Sequence, residues 1–194
     1  VMSDIIFYER KEKLYISSIE SKKVFLNISS DIFKISLLFY IFKALDIFIQ
    51  EKLSQKFGNS VKNFATMRDI FTLEANKDNI HEIIQFLKED EELNFHFLTD
   101  LAGIHYPDNT VEEQFAVTYQ LHNWIENTRI RIKVFLNGEN PEVQTITDLF
   151  LCSNWMEREA WDFYGIKFTG HPQLKRILNM DEMVSHPMRK EFPM

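Results

Sequence analysis

Hydrophobic positions follow two periods along the chain, and the switches between them mark out the elements. Over residues 33–57, Leu38, Phe42, Leu45, Ile49 and Leu53 recur at three- and four-residue spacing, which predicts a helix with one buried stripe. Gly58 and Asn59 tolerate positive backbone angles and supply its stop. The period then drops to two. Phe71, Leu73 and Ala75 alternate with more polar residues, as in a half-buried strand. Residues 76–79 offer a turn and a helix cap. Ile80, Ile83, Ile84 and Leu87 then fall at offsets 0, 3, 4 and 7, an amphipathic helix. The acidic run at 89–92 sits at the helix end that disfavours negative charge, so an exposed fray or loop is expected there.

Residues 95–106 predict a further strand with Phe95 and Phe97 on one face, ended by the turn-like Tyr106-Pro107-Asp108-Asn109. Phe115, Val117, Tyr119 and Leu121 alternate strongly. So do Ile130, Ile132, Val134 and Leu136, with Arg129, Arg131 and Lys133 opposite. Together they read as an antiparallel pair joined by a loop at 123–127, and residues 138–141 end the second strand. Residues 147–165 return to helix, with Asn154 and Glu157 at capping-box spacing and Met156, Ala160 and Phe163 as an apolar stripe. Residues 166–194 mix histidine, proline, basic residues and scattered apolar anchors. Such a tail buries little against itself, so it needs a partner or the body of the domain. Near the start, residues 5–8 and 24–28 read as short strands. The expected fold is α+β: a two-layer domain with a mixed or antiparallel sheet packed by helices, an N-terminal helix and an extended C-terminal tail. The expected division is 1–64 (extension and helix), 65–152 (core) and 153–194 (helix and partner-binding tail).

Composition adds limits. The 18 Phe either fill a core or face a protein partner, and composition does not separate the two. A net charge of −7 without a basic run argues against nucleic-acid binding. The most apolar stretch, 33–50, contains Lys34, Lys43 and Asp46, so a buried or partner-packed helix is expected rather than a membrane span. The first ten residues lack the basic and apolar blocks of a secretory signal, and a reducing cytoplasmic compartment is expected. The single Cys152 forms no internal disulfide or cysteine metal site and reads as a small buried residue.

Candidate chemistry is sparse. Five glycines match neither the dinucleotide fingerprint nor the P-loop, and none of the six histidines completes a zinc motif. Glu159 and Asp162 are placed to share a helix face, and Arg158 is placed to pair with Asp162. Local ion pairing explains this spacing, with proton handling by a shifted carboxylate as the alternative. Trp155, Trp161 and Tyr164 lie partly off the apolar stripe, and the enrichment of such residues at interfaces favours docking over core filling.

The stretch SNWMEREAWDFYGIKFTGHPQLKRIL, from Ser153 to Leu178, resembles the signature of the 30-kDa (or C) subunit family of proton-pumping NADH:quinone oxidoreductase, respiratory complex I. Its core is EREAWDFYGIKFTGHP, and a later SHPMRKEFPM resembles the family's ending. The likeness covers about residues 65–194, with Lys175 standing where the family often has Arg. It implies a non-catalytic structural and assembly subunit of the hydrophilic arm, part of a hetero-oligomer on the cytoplasmic face of the bacterial membrane. It also implies packing against the 49-kDa (D-like) quinone-site subunit and neighbouring peripheral-arm subunits. No catalytic, cofactor or metal residue is implied in this chain; FMN, iron–sulfur clusters, NADH and quinone belong to other subunits. Carried over, the resemblance implies interface or structural roles for Trp155, Glu157, Arg158, Glu159, Trp161, Asp162 and Tyr164, with tight turns at Gly165 and Gly170. His171-Pro172 would fix the start of the tail, and Arg176, His186, Pro187, Arg189 and Lys190 would dock it. Two other readings stay open: the equivalent subunit of a membrane-bound hydrogenase or other donor:quinone dehydrogenase, and a small hydrolase using Glu159 or Asp162 with His171.

Overall fold

A computed structural model describes residues 7–10, 13–16, 32–68 and 70–192. They form two compact units, one ending at Phe48 and one beginning at Ile49. In the first, β1 (Phe7–Arg10) and β2 (Lys13–Ile16) form an antiparallel ribbon. The expected strand at 24–28 lies outside the described residues. Helix α1 (Ile32–Phe57) contributes residues to both units and stops at Gly58, whose φ is +52°. Ile49 and Leu53 of its stripe are fully buried, whereas the side chains of Leu38 and Phe42 lie outside the described set.

The second unit is built on a five-stranded mixed sheet in the order β3-β4-β7-β6-β5. Its strands are β3 (Val61–Met67), β4 (Ile70–Ala75), β5 (Phe97–His105), β6 (Phe115–Asn123) and β7 (Thr128–Leu136). β4 and β7 run parallel, and the other neighbours are antiparallel. Such a pair needs a long crossover, and α2 (Ile80–Glu89) lies on it. The fold is therefore α+β with a mixed sheet.

The alternation sets the core. Phe115, Val117, Tyr119 and Leu121 stand opposite Leu136, Val134, Ile132 and Ile130, and all eight are at most 1% exposed. Ile80, Ile83, Ile84 and Leu87 of α2 are equally buried. The end of α1 packs beside α2 through Phe57 on Phe86, at 5.7 Å between ring centres. The sheet's other face carries a polar row. Asp100 accepts from the Gln120 side chain, whose oxygen accepts from Arg131, in one row across three strands.

Several local expectations change. The sequence pattern predicts no element over 61–67, yet β3 runs there, an exposed edge strand with a register shift and φ +54° at Asn63. Phe95 and Phe97 do not share a face. β5 begins at Phe97, which is 38% exposed, whereas Phe95 is buried beyond the left-handed Asn94. The acidic run is the loop of the two expected forms, and it is a built turn: Asp90 accepts the Glu92 and Leu93 amides and pairs with Lys52 at 2.6 Å.

Candidate functional site

Chemistry-bearing side chains converge around α3 (Ser153–Tyr164) and the segment after it. Two short parallel strands, β8 (Glu142–Gln144) and β9 (Lys167–Thr169), bracket the helix. α3 packs along β5. The close approach needs Gly103, where an added Cβ would lie 2.8 Å from the Tyr164 ring.

The helix starts at Ser153, later than expected, after turns at 147–152. Asn154 is not its cap. Cys152 holds that position with helical backbone angles and no capping side chain, and its side chain is half-buried rather than fully buried. Glu157 turns inward instead of closing a capping box. It is fully buried, accepting the Ile146 amide at 2.9 Å and the Thr145 hydroxyl at 2.5 Å. Burial pushes its carboxyl up, against the pull of those two donors. Glu157 thus pins the 145–147 turn to α3. The same stretch is tied to α2 by His81 on Asp148 at 2.8 Å and by Lys88 donating to the Leu149 carbonyl at 2.6 Å.

The expected Arg158–Asp162 pair does not form. Arg158 reaches across to the tail, donating to the Lys175 carbonyl at 3.0 Å and the Arg176 carbonyl at 2.9 Å. Asp162 is fully buried and pairs with Arg176 at 2.5 Å. Its second oxygen accepts three successive amides, those of Ile177, Leu178 and Asn179, at 3.1, 2.9 and 2.9 Å. The Asn179 side chain adds a further donor at 3.0 Å. Burial alone would raise the Asp162 carboxyl. The Asn179 and Leu178 amides, the Asn179 side chain and Arg176 outweigh it and hold the carboxyl well below the usual range. Arg176 also donates to the carbonyls of Met183 and Ser185, so one ion pair organises ten residues of chain.

The end of the helix fastens the rest. Gly165 caps it at φ +76°, and an added Cβ there would lie 2.5 Å from Arg189 Nη2 and 2.7 Å from His186 Cδ2. His186 Nδ1 donates to the Asp162 carbonyl at 3.0 Å, Arg189 Nε to the Tyr164 carbonyl at 2.7 Å, and the Met188 amide to the Phe163 carbonyl. Trp161 carries Arg176 on its face at 5.6 Å and His186 at its edge. Tyr164 is half-buried against β5, and burial raises its phenol. Farther on, the Lys190 amide donates to Nδ1 of His105 at 2.9 Å. His105 is buried and stacked on Phe115, and burial lowers its pKa. His105, a lone histidine at a strand end with no neighbouring motif, is a tail anchor that the sequence pattern does not mark.

Gly170 turns at φ +83°. His171 uses both ring nitrogens: Nε2 donates to the Asn154 carbonyl at 3.2 Å, and Nδ1 accepts the Gln173 amide at 3.0 Å. Asp162 and His171 are thus both committed, which leaves the hydrolase reading only the exposed Glu159. Trp155, Glu159, Pro172 and Lys190 are exposed, and Pro187 is half-buried. Among the described residues no three His, Cys, Asp or Glu side chains converge as metal ligands. No helix among them is long and apolar enough to cross a membrane.

This helix, its saturated aspartate and the tail folded over it lie within residues 73–194, which match the family model described as "Respiratory-chain NADH dehydrogenase, 30 Kd subunit". The chain belongs to that family. The C 2 subunit of NADH-quinone oxidoreductase from Rhizobium meliloti (strain 1021) is 41% identical over 139 residues, covering 71% of this chain and 74% of that protein. The C subunit from Citrifermentans bemidjiense is 36% identical over 143 residues, covering 74% and 86%. A solved trypsin-resistant fragment (1–134) of Nqo5 is similar with a TM-score of 0.55 and 28% identity, covering 65% of this chain and 98% of the fragment. A chain of the membrane-bound sulfane sulfur reductase, an archaeal respiratory membrane complex, shares the fold at a TM-score of 0.63 and 20% identity, covering 77% and 85%.

Proposed function

We propose that this chain is a non-catalytic assembly subunit of the hydrophilic arm of an NADH:quinone oxidoreductase. In this reading its α3–tail face docks on the 49-kDa quinone-site subunit. The complex would lie against the cytoplasmic face of the membrane, with FMN and iron–sulfur clusters in other subunits and electron transfer to quinone coupled to proton pumping. One observation carries the reading. The tail is held by polar contacts of its backbone and of Arg176, His186 and Arg189, and five of its apolar side chains are left exposed. Leu178, Met180, Val184, Met188 and Phe192 are 64, 75, 92, 48 and 43% exposed. Side chains displayed in this way fit a protein partner, because burying them against one removes apolar area from water. Trp155, 61% exposed on α3, extends the surface.

The test uses membranes from cells carrying the full chain with Met180→Glu and Val184→Glu together. Each charge would enter the buried contact without disturbing the chain's own packing. NADH:quinone activity and the yield of assembled complex should each fall at least tenfold. Full activity in this variant would overturn the reading, as would NADH–quinone turnover by the purified chain alone. The fold shared with the sulfane sulfur reductase chain supports a second reading, the same structural role with another electron input. Co-purification of an NADH- and flavin-binding subunit separates the two.

A further inference from the structure

We propose that the tip of the β6–β7 hairpin is a second docking site. Its occupant would be another protein of the complex, presenting an apolar cleft with a cationic rim. The proposal rests on the assembly reading above, but not on the tail's contact with the 49-kDa subunit.

A hairpin tip is usually built of small polar turn formers. This one carries Trp124 and Ile125, 58% and 75% exposed. Neither side chain makes the hydrogen bonds that hold the loop. Asn123, only 4% exposed, does that work: its side-chain oxygen accepts the Ile125 and Glu126 amides at 2.9 and 3.2 Å, and its Nδ2 donates to the Leu93 carbonyl at 2.9 Å. Asn127 closes the turn at φ +50°, and its side chain meets His122 Nε2 at 3.3 Å. The indole and the isoleucine are thus displayed on a fixed frame, which lowers the ordering cost of binding.

The patch extends past the loop. Phe97 of the neighbouring β5 lies against the indole at 4.5 Å, and the rings of His96 and His122 stand edge-on to it at 6.1 and 6.4 Å. The exposed fractions of Trp124, Ile125 and Phe97 amount to roughly 300–400 Å², given ~150–250 Å² for a large side chain. A stable interface takes about 800 Å² from each partner. The patch is too small to hold two copies of this chain together. It suits an anchor within an assembly that other contacts already hold.

Charge narrows the occupant. Glu126 and Glu91, both exposed, sit on the two segments that Asn123 ties together. Asp90 and Glu92 beside them share Lys52, and Arg129 stands across from His122. The rim is therefore net acidic and complements lysine or arginine around the receiving cleft. An anionic membrane surface would be repelled. The location is also separate from the tail. Lys190 binds His105 at one end of β5, and Phe97 lies at the other, roughly 27 Å away at ~3.4 Å per residue.

The experiment uses the native complex purified from cells whose full chain carries a photo-crosslinking phenylalanine at position 124 or, separately, at 184. Positions 124 and 184 should label two different partner proteins. Ile125→Glu should lower recovery of the protein labelled from 124 at least fivefold. Ile125→Ser, a milder change at the same exposed site, should act in the same direction. Unchanged thermal unfolding of the isolated chain certifies the fold of both variants. The proposal is overturned if position 124 labels lipid, a second copy of the chain, the 49-kDa subunit or nothing. It is equally overturned if both variants leave the complex's composition intact. A label at 184 that misses the 49-kDa subunit, beside a positive result at 124, refutes the tail reading alone.

Discussion

Asp162→Asn should release the tail while leaving the sheet folded. The carboxylate is fully buried and accepts five hydrogen bonds, three from successive amides and two from the side chains of Asn179 and Arg176. Asparagine keeps the shape but removes the charge and offers one acceptor oxygen instead of two. Arg176, itself buried, would lose its counter-ion. Removing one partner of a buried pair costs about 3–5 kcal/mol. At about 1.4 kcal/mol per tenfold, the tail's opening equilibrium should rise between about a hundredfold and a few thousandfold. Amide hydrogen exchange reads this directly: amides of residues 177–190 should lose protection by that factor, while those of β6 and β7 keep theirs. Adding Arg176→Met should restore part of the loss, because the stranded charge is then gone. Unchanged tail protection in Asp162→Asn would refute the reasoning. The pH dependence has a definite sign. The folded carboxyl titrates below the unfolded value of about 3.9. Its contribution is therefore full above that value and is lost only as the pH falls further, so the knot holds through neutral and mildly acidic conditions.

Two further outcomes follow from the same region. Burial lowers the His105 pKa below 6.5, with Glu191 opposing and Arg189 and Lys190 adding to the effect. The neutral ring's hold on the Lys190 amide should therefore be full above about 6.5 and be lost as the pH falls through the lowered folded value. The Lys190 amide should exchange faster, relative to β6, at pH 5.5 than at 7.5, and His105→Phe should abolish that difference. Gly165→Ala puts a Cβ within 2.5 Å of Arg189 Nη2 at a positive φ, at a cost of at least ~1 kcal/mol. Tryptic cleavage at Arg189 and Lys190 should become at least severalfold faster than in the unchanged chain.

The elements that were legible share one property: their hydrophobic period survives intact. β6 and β7 alternate without interruption, and α2 keeps its stripe over two turns. β3 was not legible, because an edge strand has little to bury. Val61 alone is buried there, and the shift at Asn63 breaks the alternation. The start of α3 was misplaced because Asn154 and Glu157 have the spacing of a cap, and spacing does not say which way a carboxylate turns. Glu157 found donors in a turn eleven and twelve residues upstream. The motif marked residues that gather around α3, but local pairing at four-residue spacing suggested Arg158 for Asp162, and the ion pair went to Arg176 instead. Long-range pairing of this kind leaves no period to read. Trp124 and Ile125 were legible only as loop residues, since their exposure depends on Asn123 holding the turn from below.

The tail is held in the reverse of the usual arrangement for a buried segment. Its backbone amides face inward, toward Asp162, Phe163 and His105, the Arg189 side chain reaches the Tyr164 carbonyl, and Leu178, Met180 and Val184 face out. Such contacts are weak while water competes for them, because each exchanges one hydrogen bond for another. They strengthen when the surroundings become less polar. A partner seated on Leu178, Met180 and Val184 would exclude water from the region around the knot as well as burying those side chains. Docking and knot would then reinforce each other: a partner that binds only the folded-back tail stabilises it by mass action, and a preformed knot spares the partner the cost of ordering it. Loss of the Asp162 charge should therefore open the tail most in the isolated chain and least in the assembled complex. A tail whose exchange is equally fast in both would separate the knot from docking.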